Sequence, residues 1–462
     1  MSAAAGDPAP TGGVGRAGLA ALIVGTVLNP LNSSMVSVAL VLFARDFGVG
    51  TGAVTWVVSA FYLAGCVGQP LMGRFADRFG PRRVFGAGMV LVLATAVLAP
   101  FSPGFEVLVG LRVLQSLGTS VAFPAAVAVL RRHGGAAQGS GPTSIATANT
   151  VGAAVGPVLG GVLVEFFGWE GVFWVNVPLA VLAFVTARAF VPADPPAERI
   201  SARALFRGAD PVGVLGFTTA LVGFLVFALS LSGAPAWWAL PLVVVGAALF
   251  LWWERRTGEP FVDVRLLVAR PALLGTYAQF VVFNLVFYSA FYGLPEWLES
   301  SRGFPAGESG LLVLPLAGVG AVVTVLASRV ITRIGVGRTL LVGFAVLVLG
   351  CAGVLALSGT TPLAVVVLVG GLLGIPYGLN NLGLQARMYA LAPPESSGVA
   401  AGLFQTSRYV GAILSTSVLG VVFASSIDDA RLHQVGWVMV VLAAGLVATG
   451  LLGLRPRAAG DR

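Results

Sequence analysis

Five charged residues stand together in one short polar stretch, Gly73–Val84, between two long apolar runs. Four of them are arginines, and the fifth, Asp77, has a glycine four residues before it and another three residues after it. A carboxylate in this position can accept hydrogen bonds from the free N–H groups at the start of another helix, where the helix dipole also favours an anion. The alternative is an ordinary basic turn in which Asp77 pairs with neighbouring arginines. Both interpretations predict a structural or switching contact, not a catalytic centre.

Arg112 is a second charge of interest, because it lies inside an apolar run, six residues after Glu106. A charge in the hydrocarbon core of a membrane costs at least ~2.5 kcal/mol unless it is paired or hydrated, and such charges are functional by default. The alternative is that the side chain reaches the surface of the membrane, but about 9 Å of helix separates Arg112 from Glu106. We therefore interpret Arg112 as a functional residue.

The other reactive residue types indicate neither an enzyme nor a metalloprotein. Cys66 and Cys351 both lie in apolar runs, and His133 and His433 are isolated from each other. No nucleophile–base pair, metal-ligand cluster or nucleotide-binding loop occurs in any apolar run. The sequence predicts no catalytic residue, no metal and no cofactor.

The composition predicts an all-α membrane protein. Of the 462 residues, 57% are apolar and only 10% are charged, and the 62 glycines suit closely packed membrane helices. The net charge of +8 could indicate nucleic acid, but its distribution does not. Of the 27 basic residues, all arginine, 22 fall in one set of predicted loops and tails and three in the opposite set. This asymmetry predicts that both ends are cytoplasmic.

Fourteen apolar runs are long enough to span a membrane, which takes roughly 20 residues. They lie near 18–42, 53–72, 84–101, 106–130, 142–165, 170–191, 212–232, 236–253, 271–297, 306–331, 339–358, 362–386, 397–424 and 435–454. A charged segment after the sixth run divides them as six, two and six. The predicted units are an N-terminal half (1–191), a cytoplasmic linker (192–211), two extra helices with a basic loop (212–270) and a C-terminal half (271–462).

With these features the chain resembles the major facilitator superfamily, and specifically its fourteen-helix drug:proton antiporter branch of bacterial multidrug and antibiotic efflux proteins. The resemblance covers essentially the whole chain, and three of its signatures involve the following residues. The loop after the second span carries Gly73, Asp77, Arg78, Gly80, Arg82 and Arg83; the fourth span carries Arg112, Gln115 and Gly118; the fifth carries Gly152, Gly156, Pro157, Gly160 and Gly161. A fourth likeness is the first-span sequence LNSSMVSVAL.

The resemblance implies a major facilitator fold and a role for each signature. The loop would be a gate in which Asp77 joins the start of the thirteenth span, near Ser397. In the fifth span, three glycines at four-residue spacing form a smooth face for another helix, and Pro157 removes one backbone hydrogen bond. Generic helix packing is the alternative for that span.

The first span departs from the family pattern. The family places an aspartate near the position of Asn32, as the proton carrier that pairs with the arginine of the fourth span. Asn32 cannot titrate, and no acid lies in the middle of any predicted span. The remaining candidates for carrying the proton are Glu165 and Asp46, each acting through Arg112. The resemblance therefore implies proton antiport, whereas the residues leave the proton without its usual site.

Polar residues inside the spans are the candidates for a substrate cavity. They are Asn29, Gln69, Asn284, Tyr288, Asn380, Asn381 and Gln385. A helical stripe of phenylalanines at 280, 283, 287 and 291 predicts an aromatic wall for flat lipophilic substrates, with lipid-facing or packing positions as the alternative.

Three functions are consistent with these features. The favoured one is a proton-driven exporter of lipophilic or amphipathic small molecules, acting as a monomer by alternating access in a bacterial plasma membrane. Its expected partners are the substrate, protons and the lipid bilayer, with no nucleic acid. The second is an uncoupled facilitator or metabolite exporter, favoured by Asn32. The third, a non-transporting membrane sensor, lacks any sizeable soluble domain.

Overall fold

The computed structural model describes residues 13–54, 56–133, 137–195, 210–231, 233–258, 260–393 and 396–454. These residues form helices and connecting turns, with no strand among them. The helices are α1 (Arg16–Met35), α2 (Leu40–Asp46), α3 (Thr51–Val54), α4 (Trp56–Phe79), α5 (Pro81–Leu98), α6 (Phe105–Ser120), α7 (Ala122–His133), α8 (Ala137–Phe167), α9 (Gly171–Trp174), α10 (Asn176–Phe190), α11 (Pro211–Ser230), α12 (Ala239–Glu254), α13 (Val264–Ala269), α14 (Pro271–Arg302), α15 (Ala306–Ile334), α16 (Val336–Val354), α17 (Leu363–Leu391), α18 (Ser397–Val422) and α19 (Asp429–Leu454).

The predicted class, an all-α membrane protein, is confirmed. Eleven helical stretches within the described residues are long and apolar enough to cross a membrane, and α12 is a shorter apolar helix. Each of the fourteen predicted spans falls on helix. Because α8, α12 and α18 are not among the eleven, the count of fourteen stays a prediction.

The polar stretch Gly73–Val84, expected as a loop, is mostly helical. Helix α4 continues through Phe79, and only Gly80 interrupts the backbone before α5 starts at Pro81. Gly80 has a φ of 98°, which side-chain-bearing residues rarely adopt, and proline is well suited to a first helical position. Asp77 therefore projects from the last turn of a rigid helix.

The helices pack in two groups, which meet at several helix pairs. In the first group α1 contacts α8 and α10, and in the second α14 contacts α18 while α17 contacts α15 and α16. The groups join where α4 packs on α18 and α8 packs on α15. We call the end of the bundle that carries Arg82, Arg83, Arg131 and Arg132 the arginine-rich end, and the opposite end the far end.

Helices α11 and α12 pack against each other, and α11 also contacts α4 and α18. Two buried carboxylates hold their arginine-rich end together. Asp210 accepts hydrogen bonds from the Trp253 indole at 2.6 Å and from Phe261 N at 2.9 Å, and Glu254 accepts from Phe261 N and Val262 N at 3.1 and 3.3 Å. These bonds offset the cost of burying the carboxylates, although Glu254 Oε2 has no hydrogen-bond partner among the described residues. The predicted linker 192–211 falls largely outside the described residues, since 196–209 are not among them.

Candidate functional site

The contact between α4 and α18 is close enough for backbones to touch. A Cβ added to Gly73 would lie 2.2 Å from the carbonyl oxygen of Gly398, and one added to Gly402 would lie 2.3 Å from that of Gln69. Further along the same pair, the Thr406 hydroxyl donates a hydrogen bond to the Cys66 carbonyl at 2.6 Å. The two helix groups are therefore sealed against each other from the arginine-rich end towards the middle of the bundle.

Asp77 caps the first turn of α18. Its carboxylate accepts hydrogen bonds from Gly398 N at 2.9 and 3.1 Å and from Val399 N at 3.1 Å. Ser396, the residue before the helix, makes no side-chain cap of its own. Asp77 thus satisfies free N–H groups of a helix in the other group and places a negative charge at the positive end of its dipole.

Two arginines of α7 add bonds at the same end. The Arg132 guanidinium donates to the Asp77 carbonyl, and Arg131 donates to the Tyr389 carbonyl of α17 while lying 5.5 Å from its ring. Arg131 therefore forms a second connection between the two helix groups.

The remaining residues of the predicted gate contact their own helix group. Asp194 accepts hydrogen bonds from Arg82 N at 3.3 Å and Arg83 N at 2.8 Å, so it caps the start of α5. Gly80 packs against the same carboxylate, since an added Cβ would lie 2.4 Å from it. The Arg78 guanidinium lies 5.9 Å from the Phe79 ring. Sequence reasoning missed Asp194, which it placed in the linker.

Arg112 is fully buried and bonded only to neutral groups. It donates to Gln115 Oε1 at 2.5 Å, to the Val57 carbonyl at 3.3 Å and to the Asn32 carbonyl at 3.3 Å, and it lies 4.3 Å from the Phe61 ring. The arginine thereby links α1, α4 and α6. Each of its three nitrogens has a hydrogen-bond acceptor, which reduces the cost of burying its charge.

Asn32 completes this network with amides instead of an acid. Its side chain donates to Asn176 Oδ1 at 2.5 Å and accepts from Gln115 Nε2 at 3.3 Å. The acids considered as substitutes lie elsewhere: Asp46 accepts from the Trp169 indole at 2.9 Å, and Glu165 is exposed near the end of α8. The structure brings neither acid into a hydrogen bond with Arg112.

The glycines of α8 face α1. A Cβ at Gly152 would lie 2.9 Å from the Val27 side chain, one at Gly156 would meet the Ser34 hydroxyl, and one at Gly160 would lie 2.8 Å from the Met35 carbonyl. Gly161 has open space around it, and Pro157 lies within the same helix. The four-residue spacing thus produces the close approach of α8 to α1.

A cavity of about 280 Å³ opens between the two groups towards the far end. Hydroxyl-bearing and apolar side chains line it: Ser33, Ser34, Val58, Ser59, Tyr62, Leu63, Leu229, Phe291, Tyr292, Ala412, Ile413 and Thr416. Tyr62 of α4 and Tyr292 of α14 line the space from the two helix groups. The described lining contains no acidic residue, and the described residues contain no cluster of three or more metal-ligand side chains.

Three of the predicted cavity residues lie near the inner end of this space. Asn29 accepts a hydrogen bond from the Tyr409 hydroxyl, Gln69 lies beside the same tyrosine, and Tyr288 stacks at 5.5 Å on Tyr292. The Tyr409 ring lies 5.5 Å from that of Tyr62, which lines the cavity.

The other predicted cavity residues occupy different surroundings. The Asn380 amide lies against Gly343 of α16, and Asn284 lies against Gly411 of α18. Gln385 lines a second space, on the arginine-rich side, between α7 and α17. Asn381 is buried in α17.

Some phenylalanines of the α14 stripe pack inside the protein, and one lines the cavity. Phe280 stacks on Phe404 at 3.7 Å, and Phe287 stacks on Tyr377 at 4.0 Å. Both rings are buried, so the packing alternative describes them. Phe291 reaches the cavity.

The sequence places Arg408, like Arg112, within an apolar run, but it was not predicted as a site residue; it lies in the middle of α18 with 7% of its surface exposed. Its Nε is buried without a hydrogen-bond partner in the described chain. The cost of an intramembrane charge, which singled out Arg112, applies equally to Arg408 and could have found it.

Comparisons with known proteins show what the chain is similar to. A profile of the Major Facilitator Superfamily matches residues 22–416. The uncharacterized MFS-type transporter YwoD of Bacillus subtilis is 35% identical over 92% of this chain and 93% of its own length. The tetracenomycin C resistance and export protein of Streptomyces glaucescens is 30% identical over 92% of this chain and 77% of its own. The structure of the human organic anion transporter MFSD10 aligns with a TM-score of 0.65 over 93% of this chain and 99% of that protein, at 15% identity.

Proposed function

Because the chain belongs to the Major Facilitator Superfamily, whose members are transporters and not enzymes, we propose that it exports lipophilic or amphipathic small molecules by alternating access. The outward direction is supported by the similarity to a resistance and export protein. The superfamily fold, with its many membrane helices, provides the two helix groups that alternating access requires.

One observation carries this proposal: Asp77 bonds α4 to α18 at the arginine-rich end while a cavity opens between the same groups towards the far end. A transporter that works by alternating access must seal its binding site on one side while exposing it on the other. With the arginine-rich end in the cytoplasm, this arrangement corresponds to the outward-facing state, in which an exporter releases its substrate.

The proposed topology has fourteen membrane helices with both ends in the cytoplasm of a bacterial cell and the protein in its plasma membrane. The arginine distribution supports this orientation. The halves 1–191 and 271–462 would move against each other within one chain, with 192–211 as linker and 212–270 as the extra helix unit.

Expression in a drug-sensitive bacterial host tests export. We expect lower intracellular accumulation of exported compounds, and we expect the effect to disappear when the pH gradient is collapsed. The Asp77→Ala variant, which lacks the capping carboxylate, serves as the control and is compared at the same expression level. Unchanged accumulation across a broad panel of lipophilic compounds would refute the export proposal.

A second candidate function is transport that is not coupled to protons, and the neutral hydrogen-bond network around Arg112 favours it. Asn32, Gln115 and Asn176 supply only amides where coupling would need a titrating group. Proteoliposomes with and without a pH gradient separate the two candidates. Substrate-induced proton movement would support antiport, whereas equal rates with and without the gradient would support the uncoupled facilitator.

A further inference from the structure

Arg112 and Arg408, which are both buried in membrane helices, differ in how their charge is satisfied. Arg112 donates hydrogen bonds to three acceptors on α1, α4 and α6. Arg408 is 93% buried, since 7% of its surface is exposed, yet its Nε has no hydrogen-bond partner in the described chain. A buried guanidinium with an unused donor is costly and gives the fold no evident benefit. Such a group is expected where a ligand supplies the missing acceptor.

Tyrosines surround Arg408 on both sides of the interface between the helix groups. Tyr62, Tyr288, Tyr377 and Tyr409 lie within electrostatic range of the guanidinium, which is 6.0 Å from the Tyr409 ring. Tyrosine hydroxyls can donate hydrogen bonds to an anion, and the rings provide flat apolar faces.

Arg408 also lies next to the cavity. Ala412, one helical turn or about 6 Å further along α18, lines the cavity, as does Tyr62. Arg408 thus lies one helical turn before the lining residue Ala412, about 16 Å along the helix from the first residue of α18.

The charges around the cavity favour an anionic ligand over a cationic one. The described lining contains hydroxyl groups and apolar side chains but no carboxylate. Neither Arg408 nor Arg112 is paired with an acid in the described chain. An organic cation would therefore meet uncompensated positive charge, whereas a carboxylate would satisfy the free donor of Arg408.

We propose that Arg408 is the binding residue for an anionic group of the substrate, so that the exported compounds are aromatic or amphipathic acids. This inference rests on the proposed export function and specifies its substrate class. The acid group lies at Arg408, and the apolar part of the molecule lies among the tyrosines and in the cavity towards the far end.

Thermal unfolding of the purified full-length protein in detergent tests the assignment with three probes of similar size: naphthoate, its neutral amide naphthamide, and naphthylmethylammonium. A ligand that binds the folded state raises the unfolding temperature in proportion to its affinity and concentration. Because charge-assisted hydrogen bonds contribute about 1.5–3 kcal/mol, we expect naphthoate to bind about ten to a hundred times more tightly than naphthamide. The ammonium compound should bind most weakly.

Variants identify the residue responsible. Arg408→Gln should bind naphthoate no better than naphthamide, and Arg408→Lys should retain part of the preference because it keeps the charge without the planar fork. Arg329→Gln, which removes an exposed arginine of α15, should behave like the wild type. The ligand-free Arg408→Gln protein should unfold at the same or a higher temperature than the wild type, because it no longer buries an unpaired charge.

The possible results separate this inference from the export proposal. Equal binding of acid and amide by the wild type, an unchanged preference in Arg408→Gln, or stabilisation by chloride alone would overturn the assignment. A lower unfolding temperature of ligand-free Arg408→Gln would indicate a structural arginine and would also overturn it. Export of neutral compounds at wild-type rates by Arg408→Gln would overturn the assignment of acids as the substrate class but leave the export proposal intact. Naphthoate binding without export of any compound would instead refute the export proposal and leave the assignment of Arg408 intact.

Discussion

At the scale of single residues, two aspartates perform the same chemistry with different consequences. Asp77 and Asp194 each accept backbone hydrogen bonds at the start of a helix. Asp194 caps α5 within its own helix group, whereas Asp77 caps α18 in the other group. Of these two aspartates, only Asp77 has hydrogen bonds that must break if the two helix groups separate at the arginine-rich end. Asp77 is therefore a cap that can switch between states, whereas Asp194 is a cap that stays in place.

Asp77→Asn should shift the protein away from the state in which α4 and α18 are bonded at the arginine-rich end. The amide keeps one acceptor oxygen but loses the charge and turns an N–H₂ group towards the N–H groups of α18, at an expected cost of about 1–3 kcal/mol. Cysteine introduced at Ile145, which is buried beside α7 and α17, should then react faster with a maleimide. The native Cys66 and Cys351 are fully buried and should contribute little background.

Asp194→Asn is the matched control for that experiment. It should lower the unfolding temperature through the lost cap of α5 but leave the labelling rate at Ile145→Cys unchanged. Equal labelling rates for Asp77→Asn and the unmodified background would show that the Asp77 bonds do not hold the two groups together.

The network around Asn32 yields a prediction about proton coupling. An aspartate at this position could donate to Asn176 only when protonated and could attract Arg112 fully only when ionised. Asn32→Asp should therefore introduce a proton-linked step, seen as a new pH dependence of transport in proteoliposomes. Asn32→Ser, which is polar but does not titrate, should not. An identical pH profile for wild type and Asn32→Asp would show that coupling is decided elsewhere.

At the scale of helices, glycine makes the seal between α4 and α18 possible. An added Cβ at Gly402 would lie 2.3 Å from the Gln69 oxygen and 2.5 Å from Pro70 Cα, and neither backbone atom can move without displacing α4. Gly402→Ala should oppose closure at the arginine-rich end by about 1–3 kcal/mol, the range for overpacked sites.

We expect this variant to increase labelling at Ile145→Cys and to reduce export. Gly445→Ala in α19, where an added Cβ has nothing within 4 Å, is the matched control and should change neither. Wild-type labelling and export in Gly402→Ala would mean that α4 and α18 tolerate a wider separation than the structure shows.

At the scale of the whole molecule, the interactions between the two helix groups are unevenly distributed. Asp77, Arg131 and Thr406 bond across the interface between the arginine-rich end and the middle, whereas the far end contains the cavity. Helix α11 contacts both α4 and α18, and the Asp210–Glu254 cluster ties its start to the segment that leads into α13. The extra helix pair thus touches the pair of helices whose separation would open the arginine-rich end.

The sequence by itself determined the class, the positions of the helices and the family resemblance, because hydropathy, arginine bias and glycine–proline signatures are properties of short segments. It also indicated the start of the thirteenth span as the partner of Asp77. It could not show which amides face the cavity, since Asn380 turns towards α16 and Gln69 towards Tyr409 only once the helices are packed.

Only the tertiary structure decided how the two intramembrane arginines differ. Both have the same sequence signal, a charge inside an apolar run. The acceptors that satisfy Arg112 come from residues as far as 80 positions away, and the tyrosines around Arg408 come from four different helices. Hydrogen-bond satisfaction of a buried charge depends on where packed neighbours place their polar atoms, and spacing along one helix does not contain that information.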